Sequence, residues 1–168
     1  TAERDQRMPY DPEMSKKLLA EAGYPDGFEL TLDCPNDRYI NDEAICVAAI
    51  GMFAKIGVKV NLDAKTKSQH FSEVKEGDAN GMTSDMYMLG WGVPTFDSHY
   101  VYSYLFDSAG SWNKVNFSNA RVDELVAAMG VETDLDKRNA MIAEAWDITQ
   151  DDVTYLPLHH QVVNQASK

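Results

Sequence analysis

The residues best suited to recognition chemistry lie in one run, Asp85-Met86-Tyr87-Met88-Leu89-Gly90-Trp91-Gly92-Val93-Pro94-Thr95-Phe96-Asp97. It starts as an apolar strand and ends where Gly, Trp, Gly and Pro crowd together. Trp91 stands between two residues without side chains, so its ring is free to leave the sheet edge and lie against a ligand. A rigid aromatic on a loop offers large contact area at low entropic cost. Trp112, in the Gly/Ser/Asn-rich loop 107–116, is a second aromatic of this kind. No residue in the run 85–97 looks like a nucleophile or a paired base. No nucleophile elbow, P-loop or metal-spaced His/Cys pair occurs anywhere in the chain. His159 and His160 are adjacent on a predicted strand, where neighbouring side chains point to opposite faces and cannot share one metal. One is expected toward the core and one toward solvent. His70 and His99 stand alone. The expectation is therefore binding, with no catalytic set, no metal and no cofactor. A small α/β enzyme and a stand-alone interaction domain are the alternatives; the first needs converging acid–base groups, the second an exposed apolar patch.

Such loops need a framework. The chain has 168 residues, 44% hydrophobic, enough for a domain with a real core. Its net charge of −12 repels phosphate backbones and anionic membranes, which argues against nucleic acid as a partner. No apolar run approaches the roughly 18 residues of a membrane-spanning helix. The two cysteines, Cys34 and Cys46, permit one disulfide. Buried free thiols are the expected state, because free Cys packs as a small hydrophobe.

Asp11-Pro12-Glu13 reads as a helix start, with Met14, Leu18, Leu19 and Ala22 as its apolar stripe. Phe28, Leu30 and Leu32 alternate with polar residues as a first strand. Asn41 is placed to cap a second helix carrying Ile45, Ala49, Met52 and Ile56, and Val58, Val60 and Leu62 form a second strand. This β-α-β unit implies a parallel pair. A short helix over 68–75 follows, then a polar loop over 77–84 and a third strand over 86–91, with Met86 and Met88 as core. Residues 96–105 read as a helix placing Tyr100, Tyr104 and Leu105 against the sheet. Asn119 caps a helix with Val122, Leu125, Val126 and Met129 inward. Asp134 caps another with Leu135, Ile142 and Trp146 on one stripe, and 155–163 reads as a last strand. The fold class is α/β, a mostly parallel sheet flanked by helices.

Several segments, in order, resemble one lobe of the extracytoplasmic solute-binding proteins of ABC importers, the oligopeptide, dipeptide and nickel binding group (family 5). They are the helix Tyr10-Asp11-Pro12-Glu13 to Ala20-Glu21-Ala22-Gly23-Tyr24-Pro25, the joint Lys55-Ile56-Gly57-Val58-Lys59-Val60, Leu89-Gly90-Trp91, the run from Asn119 to Leu125, and Asp136-Lys137-Arg138 with Tyr155-Leu156-Pro157-Leu158. The resemblance implies a periplasmic-binding-protein type II-like lobe. Residues 1–168 would be a single α/β C-terminal ligand-binding lobe of a longer, bilobal protein in the periplasm or another extracytoplasmic space. It implies a non-catalytic role, binding a peptide or other small molecule and delivering it to ABC permease subunits. The ligand would lie between Trp91-Gly92-Val93 and the missing N-terminal lobe, pairing with the backbone of Gly92 and Val93 as an added strand does. In peptide binders an Asp three residues after this Trp receives the ligand's α-ammonium. Here Pro94 holds that position and offers neither carboxylate nor donor. Asp97, six residues after the Trp, either takes over the ammonium or caps the next helix; capping is the favoured role.

Overall fold

The computed structural model describes residues 9–76 and 84–162. The polar loop expected over 77–84, apart from Ser84, and Val163 of the expected last strand lie outside them. The described residues fall into two compact units that part between Trp91 and Gly92.

The first unit runs α1 (Pro12–Glu21), β1 (Glu29–Pro35), α2 (Asp42–Ala54), β2 (Lys59–Lys65), α3 (Lys67–Glu76) and β3 (Met86–Tyr87). Asp11 caps α1, its carboxylate accepting from the Met14 N–H at 2.9 Å. The strands form a three-stranded sheet in the order β2-β1-β3, with both pairings parallel. This is the α/β fold with a parallel sheet that the alternation of elements implies. Glu29 lies opposite Lys59 and Pro35 opposite Lys65, while Leu32 and Asp33 face Met86 and Tyr87. Side chains alternate along a strand, so β1 has two different faces. Leu30, Leu32 and Cys34 enter a core with Cys46, Val58 and Val60, against which Leu19, Ile50, Phe53 and Met88 pack. Asp33, on the opposite face, meets His70 of α3. A central parallel strand is thus covered on both sides. The turns before β1 and β2 touch through Gly27 and Gly57; a Cβ on Gly27, at φ +74°, would sit 1.9 Å from the Gly57 carbonyl oxygen.

The second unit holds α4 (Ser98–Val101), a π-helical turn continuing it (Tyr102–Phe106), α5 (Ala120–Met129) and α6 (Leu135–Asp152). Asn119 caps α5 through the Arg121 and Val122 N–H groups, and Asp134 caps α6 through those of Asp136 and Lys137. The core is Tyr102, Phe117, Val122, Leu125, Val126, Met129 and Ala145.

Several expectations are corrected. Cys34 and Cys46 are not free thiols but a disulfide. The end of β1 and the second turn of α2 bring their sulfurs together, which spacing along the chain does not reveal. Asn41 makes no side-chain cap; it sits in the left-handed region at φ 59°, and Asp42 takes over the local N–H groups. The third strand is two residues long, because the Gly90 N–H donates to a side chain, the Tyr39 hydroxyl, rather than to a neighbouring strand. In the helix expected over 96–105, the π-helical turn shifts the register. Tyr102 and Leu105 are buried, while Tyr104 is exposed. Leu135, the first residue of α6, is 73% exposed. No strand occurs among the described residues of 155–162. A strand exists only where another strand pairs with it, and no strand pairs with this segment among the described residues. His159 and His160 are consequently both exposed.

Candidate functional site

Ligands of open α/β sheets gather beyond the carboxyl ends of the strands. In the first unit that end is built by the loop 36–41. The Asp42 carboxylate is buried and accepts backbone N–H groups from Arg38 (2.8 Å), Tyr39 (2.9 Å) and Glu43 (2.9 Å). Burial alone would raise its pKa, but these donors outweigh it and hold the carboxyl below its usual range. The fold of the loop then presents Arg38 with its guanidinium 4.9 Å from the centre of the Tyr39 ring. The Tyr39 hydroxyl accepts from the Gly90 N–H at 2.9 Å, which joins the loop to the residue before Trp91. Beside this joint lies the disulfide, with the Met88 sulfur 3.8 Å from Cys34 Sγ and 3.7 Å from Cys46 Sγ. Trp91 is half-buried at the end of the unit. Position 90 must be glycine, since a Cβ there would lie 2.5 Å from the Tyr39 ring. Gly90→Ala is expected to push that ring away and cost about 1–3 kcal/mol. Chemical denaturation together with Tyr39 ring resonances in NMR checks this; an unshifted ring would contradict it.

The remaining candidates belong to the second unit. Gly92 and Pro94 are exposed and Val93 is half-buried, in a turn closed by the Phe96 N–H donating to the Val93 carbonyl at 3.0 Å. Asp97 caps α4 through the His99 N–H and pairs with Arg138, each at 2.9 Å. Arg138 is also tied to the Met129 carbonyl. The Arg138 hydrogen bond, then the His99 one, hold the Asp97 carboxyl below its usual range. With Thr95, His99, Tyr100, Ser103 and Tyr104, Asp97 lines a shallow open cleft. Trp112 is half-buried in the loop 107–117, its backbone N–H donating to the Tyr104 carbonyl at 3.0 Å.

Two groups of residues escaped notice in the sequence. Arg38 and Tyr39 read only as loop, although the place of that loop after the first strand of a β-α-β unit was the available signal. The second group lies near the ends of β1 and β2. His70, fully buried, has Nδ1 2.7 Å from Asp33 Oδ1. Lys65 lies 3.4 Å from Asp33 Oδ2 and 2.6 Å from Asp63, and also binds Glu73. An Asp–His pair is the core of many general bases. Here the imidazole is fully buried, and Nε2 meets no hydrogen-bond partner among the described residues. The arrangement is an ion network with Asp33, Lys65 and His70 buried and with Asp63 and Glu73 reaching solvent. Among the described residues no group of His, Cys, Asp and Glu is placed to hold a metal ion.

The sequence of the chain carries a family signature over its first two thirds. A model of the bacterial extracellular solute-binding proteins, family 5 (middle), matches residues 1–113. The chain belongs to this family. The glutathione-binding protein GsiB of Salmonella typhimurium is 30% identical over 161 residues, which cover 94% of this chain and 31% of GsiB. Heme-binding protein A of Haemophilus influenzae is 34% identical over 163 residues, covering 94% of this chain and 29% of that protein. The solved dipeptide binding protein from Pseudoalteromonas sp. SM9913, in complex with Met-Leu, superposes with a TM-score of 0.76 at 26% identity, covering 88% of this chain and 29% of that one. The chain thus spans under a third of the length of these relatives. Its α/β fold is that of the type II periplasmic binding proteins.

Proposed function

We propose that this chain is the ligand-contacting lobe of a longer, bilobal solute-binding protein that passes a small peptide-like solute to an ABC permease. One observation carries the reading. In a family 5 chain, Arg38, Tyr39, Gly90 and Trp91 are joined beyond the carboxyl end of the sheet. Arg38 offers a guanidinium to a solute carboxylate, and Trp91 offers an aromatic face. The second unit, taken by itself, offers the backbone of Gly92 and Val93 to an extended ligand, with Pro94 in the turn that follows and Trp112 as an aromatic of its own. The Asp97 carboxylate is already engaged by Arg138 and the His99 N–H, so a solute ammonium there would have to displace a guanidinium. Affinity therefore rests on the carboxylate and the apolar body of the solute. The glutathione-binding and dipeptide-binding relatives support a peptide-like solute. A disulfide in the core suits an extracytoplasmic, oxidising compartment. The partners are then the solute, the other lobe and the permease, and the role is binding and delivery rather than catalysis.

Mass spectrometry of the solute that co-purifies with the longer natural protein tests this reading, followed by calorimetry with glutathione and Met-Leu as probes. Trp91→Ala and Arg38→Ala are each expected to weaken binding by about 2 kcal/mol, roughly 30-fold in Kd, with little change in Tm. A sharp fall in Tm with unchanged affinity per folded molecule would make Trp91 a packing residue and overturn its assignment.

A further inference from the structure

The loop that carries Arg38 is built around one buried carboxylate. Asp42 opens α2 and is 4% exposed. Its Oδ2 accepts from two consecutive backbone N–H groups, those of Arg38 at 2.8 Å and Tyr39 at 2.9 Å, while Oδ1 accepts from Glu43 at 2.9 Å. An acidic residue in a first helical turn ordinarily binds N–H groups of its own helix. Here two of the three donors precede the helix. Successive N–H groups turned onto one oxygen form an anion cradle, filled in this case by the chain's own side chain. Asn41, at φ 59°, reverses the chain between Tyr39 and Asp42. At the other end of the loop the Asn36 N–H is held by the Lys65 carbonyl at 2.9 Å. Arg38 stands exposed between these two anchors. Pinning its N–H and that of Tyr39 fixes the local backbone, and the backbone limits the directions in which the two side chains leave it. Tyr39 then meets the Gly90 N–H through its hydroxyl, and the Arg38 guanidinium lies 4.9 Å from the Tyr39 ring centre.

We infer that Asp42 is a positioning residue of the solute site: without touching the solute, its carboxylate holds the loop so that Arg38 is ready for a solute carboxylate. The inference rests on the carboxylate role given to Arg38 above. An arginine on a loose loop has to be ordered at the moment of binding, and that ordering weakens affinity; a loop fixed beforehand avoids the loss.

Amide hydrogen exchange in the 168-residue chain tests the first half of the inference. Arg38 and Tyr39 are expected to exchange at least about tenfold more slowly than an open loop, because both N–H groups are bonded to a buried acceptor. Asp42→Asn, whose amide oxygen still accepts both, is expected to keep most of that protection, and Asp42→Ala to remove it. Open-loop rates in the unaltered chain overturn the inference, whether or not the alanine variant folds. Calorimetry on the longer natural protein, with Met-Leu and its C-terminal amide as probes, tests the second half. The unaltered protein is expected to prefer Met-Leu, and Arg38→Ala to abolish the preference. Asp42→Ala is expected to reduce the preference about tenfold, to leave the Kd of the amide unchanged, and to add little when combined with Arg38→Ala, since the two residues act through one interaction. Asp42→Asn is expected to retain the preference to within about threefold. A lower Tm with both probes weakened alike, the preference intact, makes Asp42 merely structural and overturns the inference. A preference that depends on Arg38 and is indifferent to Asp42→Ala overturns the role of Asp42 alone. Equal binding of the two probes by the unaltered protein, or binding of neither, overturns the carboxylate role of Arg38 and the inference with it.

Discussion

Refolding the chain with Cys34 and Cys46 reduced is expected to lower its stability by about 2–4 kcal/mol, roughly 4–16 °C in Tm. The cysteines are 12 residues apart, so the bond removes the entropy of a short loop from the unfolded ensemble. Both are buried in the first core among Leu32, Val58 and Val60, where two thiols occupy nearly the same space. Most of the loss therefore arises in the unfolded state rather than from a cavity. The bond also brackets the loop 36–41, so its reduction should loosen the backbone that presents Arg38. Denaturant titration with and without reductant, with thiol counting to confirm full reduction, measures the effect. An unchanged midpoint in the fully reduced protein would refute it.

Replacing Lys65 by Met is expected to cost about 2–3 kcal/mol, less than a fully buried pair, because it strands the buried Asp33 while Asp63 and Glu73 remain half exposed and screened by water. The Lys65 side chain is 8% exposed and lies between Asp33, Asp63 and Glu73. Met keeps much of the volume of the stem, so the loss is electrostatic: three carboxylates face one another, with Asp33 left to His70 alone. In the unaltered chain burial pushes the Lys65 pKa down, but hydrogen bonds to Asp63 and Glu73 and the charge of Asp33 outweigh it, raising the value above 10.5. A lysine whose pKa is raised by folding stabilises the fold at every pH below its unfolded value. That contribution is lost as pH rises from about 10.5 through the higher folded value. Denaturation curves from neutral to strongly alkaline pH should therefore show a decline that Lys65→Met largely abolishes. A loss below about 1 kcal/mol at neutral pH would mean that the network acts as a surface ion pair does.

The network and the loop show where local chemistry ends. Asp33, Lys65 and His70 come from β1, β2 and α3, and only packing α3 on the sheet brings them together. Tyr39 and Gly90 are 51 residues apart in the chain. By contrast, the starts of α1, α5 and α6 were legible in Asp11, Asn119 and Asp134, because a cap needs only N–H groups two or three residues away. The apolar alternation of β1 and β2 likewise marked two strands, and the helix between them implied a parallel pair, because a β-α-β crossover brings the chain back in the same direction. The same kind of local reasoning chose Asn41 over Asp42 and missed the turn that hands three N–H groups to the buried carboxylate. It extended β3 to Trp91 and drew a strand over 155–163, because propensity does not reveal whether a neighbouring strand is present. From the sequence alone came the starts of three helices, the α/β class and the resemblance to the solute-binding family, while Trp91, read as free to leave the sheet edge, is half-buried. Tertiary structure decided the disulfide, the Asp97–Arg138 pair, the Arg38–Tyr39–Gly90 joint and the ion network around Asp33. Each of these depends on distances between distant residues that no local preference encodes.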